Sequence, residues 1–347
     1  MFTGIDFYSD TVTRPTQKMR QAIAEAEVGD EQKGEDPTTL KLEERAAKLL
    51  GHSAALFFPS ATMANEVAIR LHCQPGDEVI ASGESHVFGA EVGGPAVHAQ
   101  VITRPIYNDT GIFCGQDVRA LFRHSTGPHY PRTRLVVVEN TSNLPGGIAW
   151  QKPELDSVQS ASKDLGLKTH LDGARLMNAA VATHMSPSAI AGPFDSVTLC
   201  LSKGLGCPAG AILAFDKTQF STVRRLKQLF GGALRQSGIL AAAGLYALDH
   251  HVERLSVDHE NARILAEGLK GLKGISVEQK PHSTNMVFFH WKGKITSDEW
   301  HQEVMKHHIR FSFAGQDRLR AVLHLDISQE AVYSALKVLT TLSDIYG

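Results

Sequence analysis

The chain has 347 residues with 35 basic and 37 acidic side chains, a formal net charge of −2. That balance offers neither the basic footprint of a nucleic-acid binder nor a polybasic membrane surface, and it fits a small-molecule partner better. The first ten residues lack the basic and apolar regions of a signal peptide, and no window reaches the apolar length of a membrane helix, so a cytoplasmic location is expected.

Short apolar runs alternate with longer helical ones along the chain. Residues 54–58, 78–81, 101–105, 135–138, 167–171, 197–201 and 211–215 read as strands, and their apolar, β-branched content with little alternation suits a sheet covered on both faces. Segments 66–71, 153–163 and 219–229 between them have helical composition, which predicts an α/β fold with a mostly parallel seven-stranded sheet. Residues 239–272 are almost continuously helix-compatible and lack proline, so they read as one domain-linking helical stretch. A strand at 286–290, a helix at 297–307, a strand at 319–325 and a helix at 329–345 then suffice for a smaller α+β domain. The expected division is an N-terminal arm and large domain over 1–250 and a small domain over 251–347, tightly packed, with no repeat or low-complexity linker.

Cys73, Cys114, Cys200 and Cys207 show no C-x-x-C spacing, and among the 17 histidines there is no H-E-x-x-H. Neither a disulfide framework nor a metal site is expected.

Three segments carry candidate chemistry. Lys203 follows a strand-like run and enters the turn Lys-Gly-Leu-Gly-Cys-Pro; there it is either an exposed turn charge or a Schiff-base nucleophile. Asp172, in His-Leu-Asp-Gly-Ala-Arg, ends an earlier strand-like run, where an aspartate can hold a pyridinium nitrogen. Pro59 to Asn65 turns from strand to helix with small hydroxyl residues, either a plain N-cap or an anion site at the helix start. Together the three provide the anchors that pyridoxal 5′-phosphate (PLP) requires, at the strand ends where open α/β sheets bind ligands.

The chain also resembles the L-threonine aldolases, fold-type I PLP-dependent enzymes of the β-eliminating lyase-like clan. The resemblance rests on Ser9-Asp10-Thr11-Val12-Thr13-Arg14-Pro15-Thr16, Gly34-Glu35-Asp36-Pro37-Thr38, His170 to Arg175, Leu201 to Gly206 and Arg235 to Leu240, in order along nearly the whole chain. It implies an aminotransferase-like fold and PLP bound to Lys203, with Asp172 on the pyridinium nitrogen and His86 stacked on the ring. Ala61 and Thr62 would contact the phosphate, joined by Arg235 from a neighbouring subunit, so that the enzyme would be a dimer or a tetrameric dimer of dimers. Ser9, Arg175 and Arg320 would bind the amino-acid carboxylate, with Arg175 also bordering the cofactor. Taken in isolation, Arg175 reads as a structural ion pair, Arg320 as an exposed strand charge and His86 as a satisfied polar core residue.

The implied reaction is cleavage of the Cα–Cβ bond of a β-hydroxy-α-amino acid to glycine and an aldehyde. Departures from the family pattern cluster where the β-substituent would lie. Glu31-Gln32-Lys33-Gly34 replaces Asp-Asp-Val-Tyr-Gly, so Lys33 stands in the tyrosine's place as a candidate acid-base residue. Ser142 stands in the place of a histidine, as a candidate substrate contact. Ala90 replaces an aromatic and Ala61 a glycine. An amino-acid (alanine) racemase on the same fold, or a weakly catalytic PLP-binding protein, are the alternatives.

Overall fold

The computed structural model describes residues 2–125 and 127–347. Its strands are β1 (Ile5–Asp6), β2 (Ala54–Phe58), β3 (Glu78–Ser82), β4 (Ile102–Ile106), β5 (Thr133–Glu139), β6 (Lys168–Gly173), β7 (Ser196–Cys200) and β8 (Ala211–Phe215), followed by β9 (Ile275–Val277), β10 (Met286–Trp291), β11 (Ile309–Arg310), β12 (Ser312–Phe313) and β13 (Arg318–Val322). The large sheet has the order β2-β8-β7-β6-β5-β3-β4, and only β8 runs antiparallel to its neighbours. All seven apolar runs expected from sequence fall on these strands, two of them residue for residue and the rest with ends shifted by at most two residues. Helices cover both faces, which is why β3, β7 and β8 are buried at every position.

Helix Pro37–Leu50 was not among the sequence-derived elements, although its signals are local. Asp36 caps it by accepting from the Thr39 amide, Pro37 occupies its first turn, and Gly51 ends it in a left-handed conformation. Leu42, Ala46 and Leu50, one turn apart, place its apolar face in the large core.

The single stretch expected over 239–272 is two helices, Gly238–His250 and Leu255–Leu269. The break is a tertiary effect: the buried His251 ring bonds through Nδ1 to the Leu205 carbonyl at 2.7 Å, tying the turn to the loop that carries Lys203. Composition alone cannot register that anchor.

The second sheet, β12-β13-β10-β9, is antiparallel and packs its own core around Phe289, Trp291, Trp300 and Phe311. The N-terminal strand packs on that core: β1 pairs in parallel with β11 as a separate two-stranded sheet, and Phe7 stacks on Phe311 at 5.4 Å. The chain then crosses to the large sheet through residues 8–16, strapping the two cores together. Among the described residues, no helix is long and apolar enough to cross a membrane.

Candidate active site

Parallel strands pointing one way deliver side chains to one edge of a sheet. The C-terminal ends of β3, β5, β6 and β7 bring His86, Glu139, Asp172 and Lys203 to that edge, each at or just beyond its strand. Register sets Glu139 beside Asp172 on adjacent strands. The Glu139 carboxylate accepts from the His86 amide at 2.6 Å and from the Asn143 amide at 2.9 Å, fixing both loops.

The two-residue period of β6 puts His170 and Asp172 on the same face, beneath helix Ala61–His72. Asn65 of that helix spans them, with Oδ1 3.1 Å from His170 Nε2 and Nδ2 3.0 Å from Asp172 Oδ2. Burial pushes the His170 imidazole down to about 3 and the His72 imidazole to about 4, so both rings are neutral at pH 7 and each carries one N–H. The roles then follow in one direction. His72 donates to Ser196 Oγ at 2.8 Å, Ser196 donates to His170 Nδ1 at 2.8 Å, and His170 donates to Asn65. Asn65 spends its amide on two carboxylates, Asp172 and Glu91, the latter at 2.9 Å.

Asp172 is buried, and burial, with Glu139 and Glu91 nearby, raises its carboxyl to about 6 against the opposing pull of Lys203 and His86. Its Oδ1 accepts from the Ala174 amide at 3.0 Å. The His86 ring is partly open to the cleft and bonds through Nδ1 to Glu91 Oε1 at 2.9 Å. That bond raises the His86 pKa against the effect of burial, helped by the Asp172 and Glu91 charges. The donor atoms of His86, Glu91 and Asp172 all lie within 4.8 Å of one another.

Lys203 is half-buried in the turn after β7, where its carbonyl accepts from the Gly206 amide at 2.8 Å. Ala61 and Thr62 open helix Ala61–His72 behind the cap Ser60, whose Oγ accepts from the Met63 amide at 3.2 Å. The two turns are joined through Gly210, which donates to the Pro59 carbonyl at 3.1 Å and accepts from the Leu201 amide at 3.0 Å. A side chain at Gly210 would strike the Phe57 ring, and its φ of +106° lies outside the range of L side chains, so glycine is required at this junction.

Arg175 is buried in a bidentate pair with Asp10, both contacts 2.7 Å. Burial opposes ionisation of Asp10, but the guanidinium outweighs it and holds the carboxyl down to about 2. Ser9 is buried beside this pair, accepting from the Thr11 amide at 3.2 Å. Arg320 arrives from the smaller sheet and donates to Asn143 Oδ1 at 3.2 Å and to Ser312 Oγ at 3.1 Å, so the cleft lies between the two cores.

The other sequence-derived residues lie outside this network. Lys33 is exposed on the short turn Glu31–Lys33. Arg235 is exposed too, paired with Asp30 at 3.1 Å on the same edge of the molecule. No hydrogen bond or ion pair among the described residues joins either one to His86, Asp172 or Lys203. Ser142 is buried, its Oγ closed over by Gly111, and Ala90 is exposed just past helix His86–Gly89. Sequence reading missed Asp10, Asn65, Glu91, Glu139 and His170 as working groups. Asp10, Asn65 and His170 stood inside the quoted segments, whereas Glu139 and Glu91 carried no signal beyond nearness to Ser142 and His86.

The beta-eliminating lyase family model matches residues 6–292. Low-specificity L-threonine aldolase 1 of Arabidopsis thaliana is 36% identical over 338 residues, covering 96% of this chain and 94% of its own. The low specificity L-threonine aldolase of Escherichia coli K12 is 37% identical over 326 residues, covering 94% and 95%. Among solved structures, the threonine aldolase of Leishmania major superimposes with a TM-score of 0.83 at 21% identity over 98% of this chain and 99% of that one, a likeness of fold. The chain belongs to the beta-eliminating lyase family and, within it, to the L-threonine aldolases.

Proposed function

We propose that this chain is a PLP-dependent lyase that cleaves β-hydroxy-α-amino acids of the threonine and allo-threonine type to glycine and an aldehyde. The observation that carries the reading is Asp172: a buried carboxylate with a raised pKa and no cation bonded to it, facing a cleft that also holds Lys203 and His86. A pyridinium N–H supplies the positive partner such a group lacks. Lys203 would carry the cofactor, His86 would cover its ring, and Ala61 and Thr62 at the helix start would take the phosphate, with Arg175 at the border. When bound, PLP supplies an electron sink for the Cα bond that lies perpendicular to its ring.

The chain's own residues choose that bond. Arg320 and Arg175, with Ser9 beside them, orient the substrate carboxylate, and Asp10 keeps the Arg175 plane fixed. With Nδ1 committed to Glu91, His86 keeps Nε2 to hold or move a proton. Lys33 would supply a base near the β-substituent and Ser142 would line its pocket. For Lys33 the support is its place in the motif, and its exposed turn requires a neighbouring subunit or loop closure to bring it there.

The relatives that carry an activity name are aldolases, which favours cleavage over racemisation. Arg235, exposed and directed from the surface, supports an assembly of at least two subunits, with a tetrameric dimer of dimers as the fuller proposal, in the cytoplasm. We place the domain division near helix Leu255–Leu269, which begins in the large core with Leu255 and ends in the small one with Leu269. Incubation with L-threonine, L-allo-threonine, phenylserine and L-alanine tests the function. Glycine plus aldehyde is expected; D-alanine without aldehyde overturns it.

A further inference from the structure

Behind His86 lies a second carboxyl group that the proposed reaction does not use. Glu66, on the helix that carries Asn65, is buried, and its carboxyl lies close enough to Glu91 to be raised by it. Neither Glu66 oxygen nor Glu91 Oε2 has a hydrogen-bond donor among the other described groups. His98 Nδ1 approaches Glu66 Oε2 at 3.4 Å, off hydrogen-bonding line, and its ring lies partly exposed against Phe230. Gly94 closes the site: a Cβ there would stand 2.2 Å from Glu66 Oε1.

Two buried carboxyl groups in contact repel as anions, and burial further disfavours a second charge, so at neutral pH one of them keeps a proton. One proton must sit between them, and the surroundings decide its owner. Glu91 accepts at Oε1 from both Asn65 Nδ2 and His86 Nδ1, each at 2.9 Å, and those donors stabilise it as the anion. Glu66 has no such donors.

We infer that Glu66 is an acid protonated at neutral pH whose O–H donates to Glu91 Oε2, making it a positioning residue that holds Glu91 as the anionic acceptor of His86 Nδ1–H. The inference rests on the reading of His86 as the group over the cofactor. Its consequence is that the Glu66–Glu91 pair carries one negative charge in total. His86 then presents a fixed ring orientation and keeps its proton at Nδ1, with Nε2 on the cleft side. The other titratable groups facing the pair are His98, whose Nδ1 stands 3.4 Å from Glu66 Oε2, and His86 and Asp172, whose donor atoms lie within 4.8 Å of that of Glu91. Burial, reinforced by Glu91, lifts the Glu66 carboxyl to about 9, so it stays protonated through neutral pH. Above that value a second anion forms next to Glu91 and the arrangement fails.

The test compares Glu66→Gln, which keeps a neutral donor of the same shape, with Glu66→Leu, which removes it. In the holoenzyme, infrared spectroscopy at pH 7.5 is expected to show a buried protonated-carboxyl band that Glu66→Gln abolishes. Glu66→Gln is expected to keep kcat for L-threonine within about threefold and to lose the alkaline limb of the pH profile. Glu66→Leu is expected to lower kcat at least about tenfold, the scale of one hydrogen bond to a charged group. It should also shift the His86 titration followed by nitrogen NMR. Absence of the carboxyl band, or equal rates and equal His86 titration in the two variants, overturns the inference. A retained band and His86 shift in a protein that does not cleave L-threonine would refute the proposed function while leaving the proton assignment standing.

Discussion

Asn65 reaches from helix Ala61–His72 to Asp172 on β6, its Nδ2 3.0 Å from Oδ2, while its Oδ1 accepts from His170 two positions earlier on the same strand face. An amide is suited to this place because it accepts from a neutral ring and donates to an anion without carrying charge itself. The chain from His72 through Ser196 and His170 therefore ends in donors directed at Asp172 and Glu91. Asn65→Ala removes one hydrogen bond from each carboxylate. Turnover of L-threonine is expected to fall about tenfold to a hundredfold, the scale of hydrogen bonds to charged groups, with weaker PLP binding. Steady-state kinetics with a cofactor titration measures both; wild-type values in both would show that Asn65 only packs.

Lys203→Ala is expected to abolish the absorbance band of the bound cofactor and all turnover. Borohydride reduction followed by peptide mapping is expected to place the reduced cofactor on Lys203; recovery on another lysine would reject the assignment. Asp172→Ala is expected to keep some bound cofactor and lose most turnover, because an unprotonated ring is a poorer electron sink. Full activity would remove Asp172 from its role.

The Asp10–Arg175 pair predicts a link between stability and substrate affinity. Asp10 has a lowered folded-state pKa, so its contribution is present above the ordinary carboxylate range and is lost as pH falls from about 4 toward about 2. Asp10→Ala leaves a buried guanidinium without its partner, a change that costs on the order of 3–5 kcal/mol. Urea unfolding at pH 7 is expected to show that loss, and KM for L-threonine is expected to rise as Arg175 loses its orientation. An unchanged midpoint and KM would count against both roles.

Arg235 is expected to complete the phosphate site of a neighbouring subunit. Arg235→Ala should then weaken PLP binding about tenfold to a hundredfold. A stable monomer that binds PLP with wild-type affinity, seen by sedimentation and cofactor titration together, would contradict it.

Lys33 is expected to act near the substrate's β-substituent. Lys33→Met should lower turnover at least about tenfold, the lower end for losing a positioned acid-base group, with the cofactor band intact. Wild-type rates of both cleavage and Cα-proton exchange in Lys33→Met would leave this lysine without a catalytic role.

The seven strands of the large sheet were legible because a strand buried on both faces is written locally, as a short apolar run between turn residues. Lys203, Asp172 and the Pro59–Thr62 turn were legible for a related reason, since each lies at the end of such a run, where this sheet architecture puts its ligands. The helix over Pro37–Leu50 had equally local signals in Asp36, Pro37 and Gly51. Other features exist only between distant segments. The break at 251–254 depends on His251 meeting Leu205, the Arg175 plane on Asp10, 165 residues away, and the Glu66–Glu91 contact on a helix and a loop 25 residues apart. Hydrogen-bond partners and burial, unlike strand propensity, belong to pairs of residues brought together by the fold. The chain alone therefore named candidate groups for holding a cofactor, and only the tertiary structure brought Asn65 and Glu91 to them and committed Nδ1 of His86 to a carboxylate.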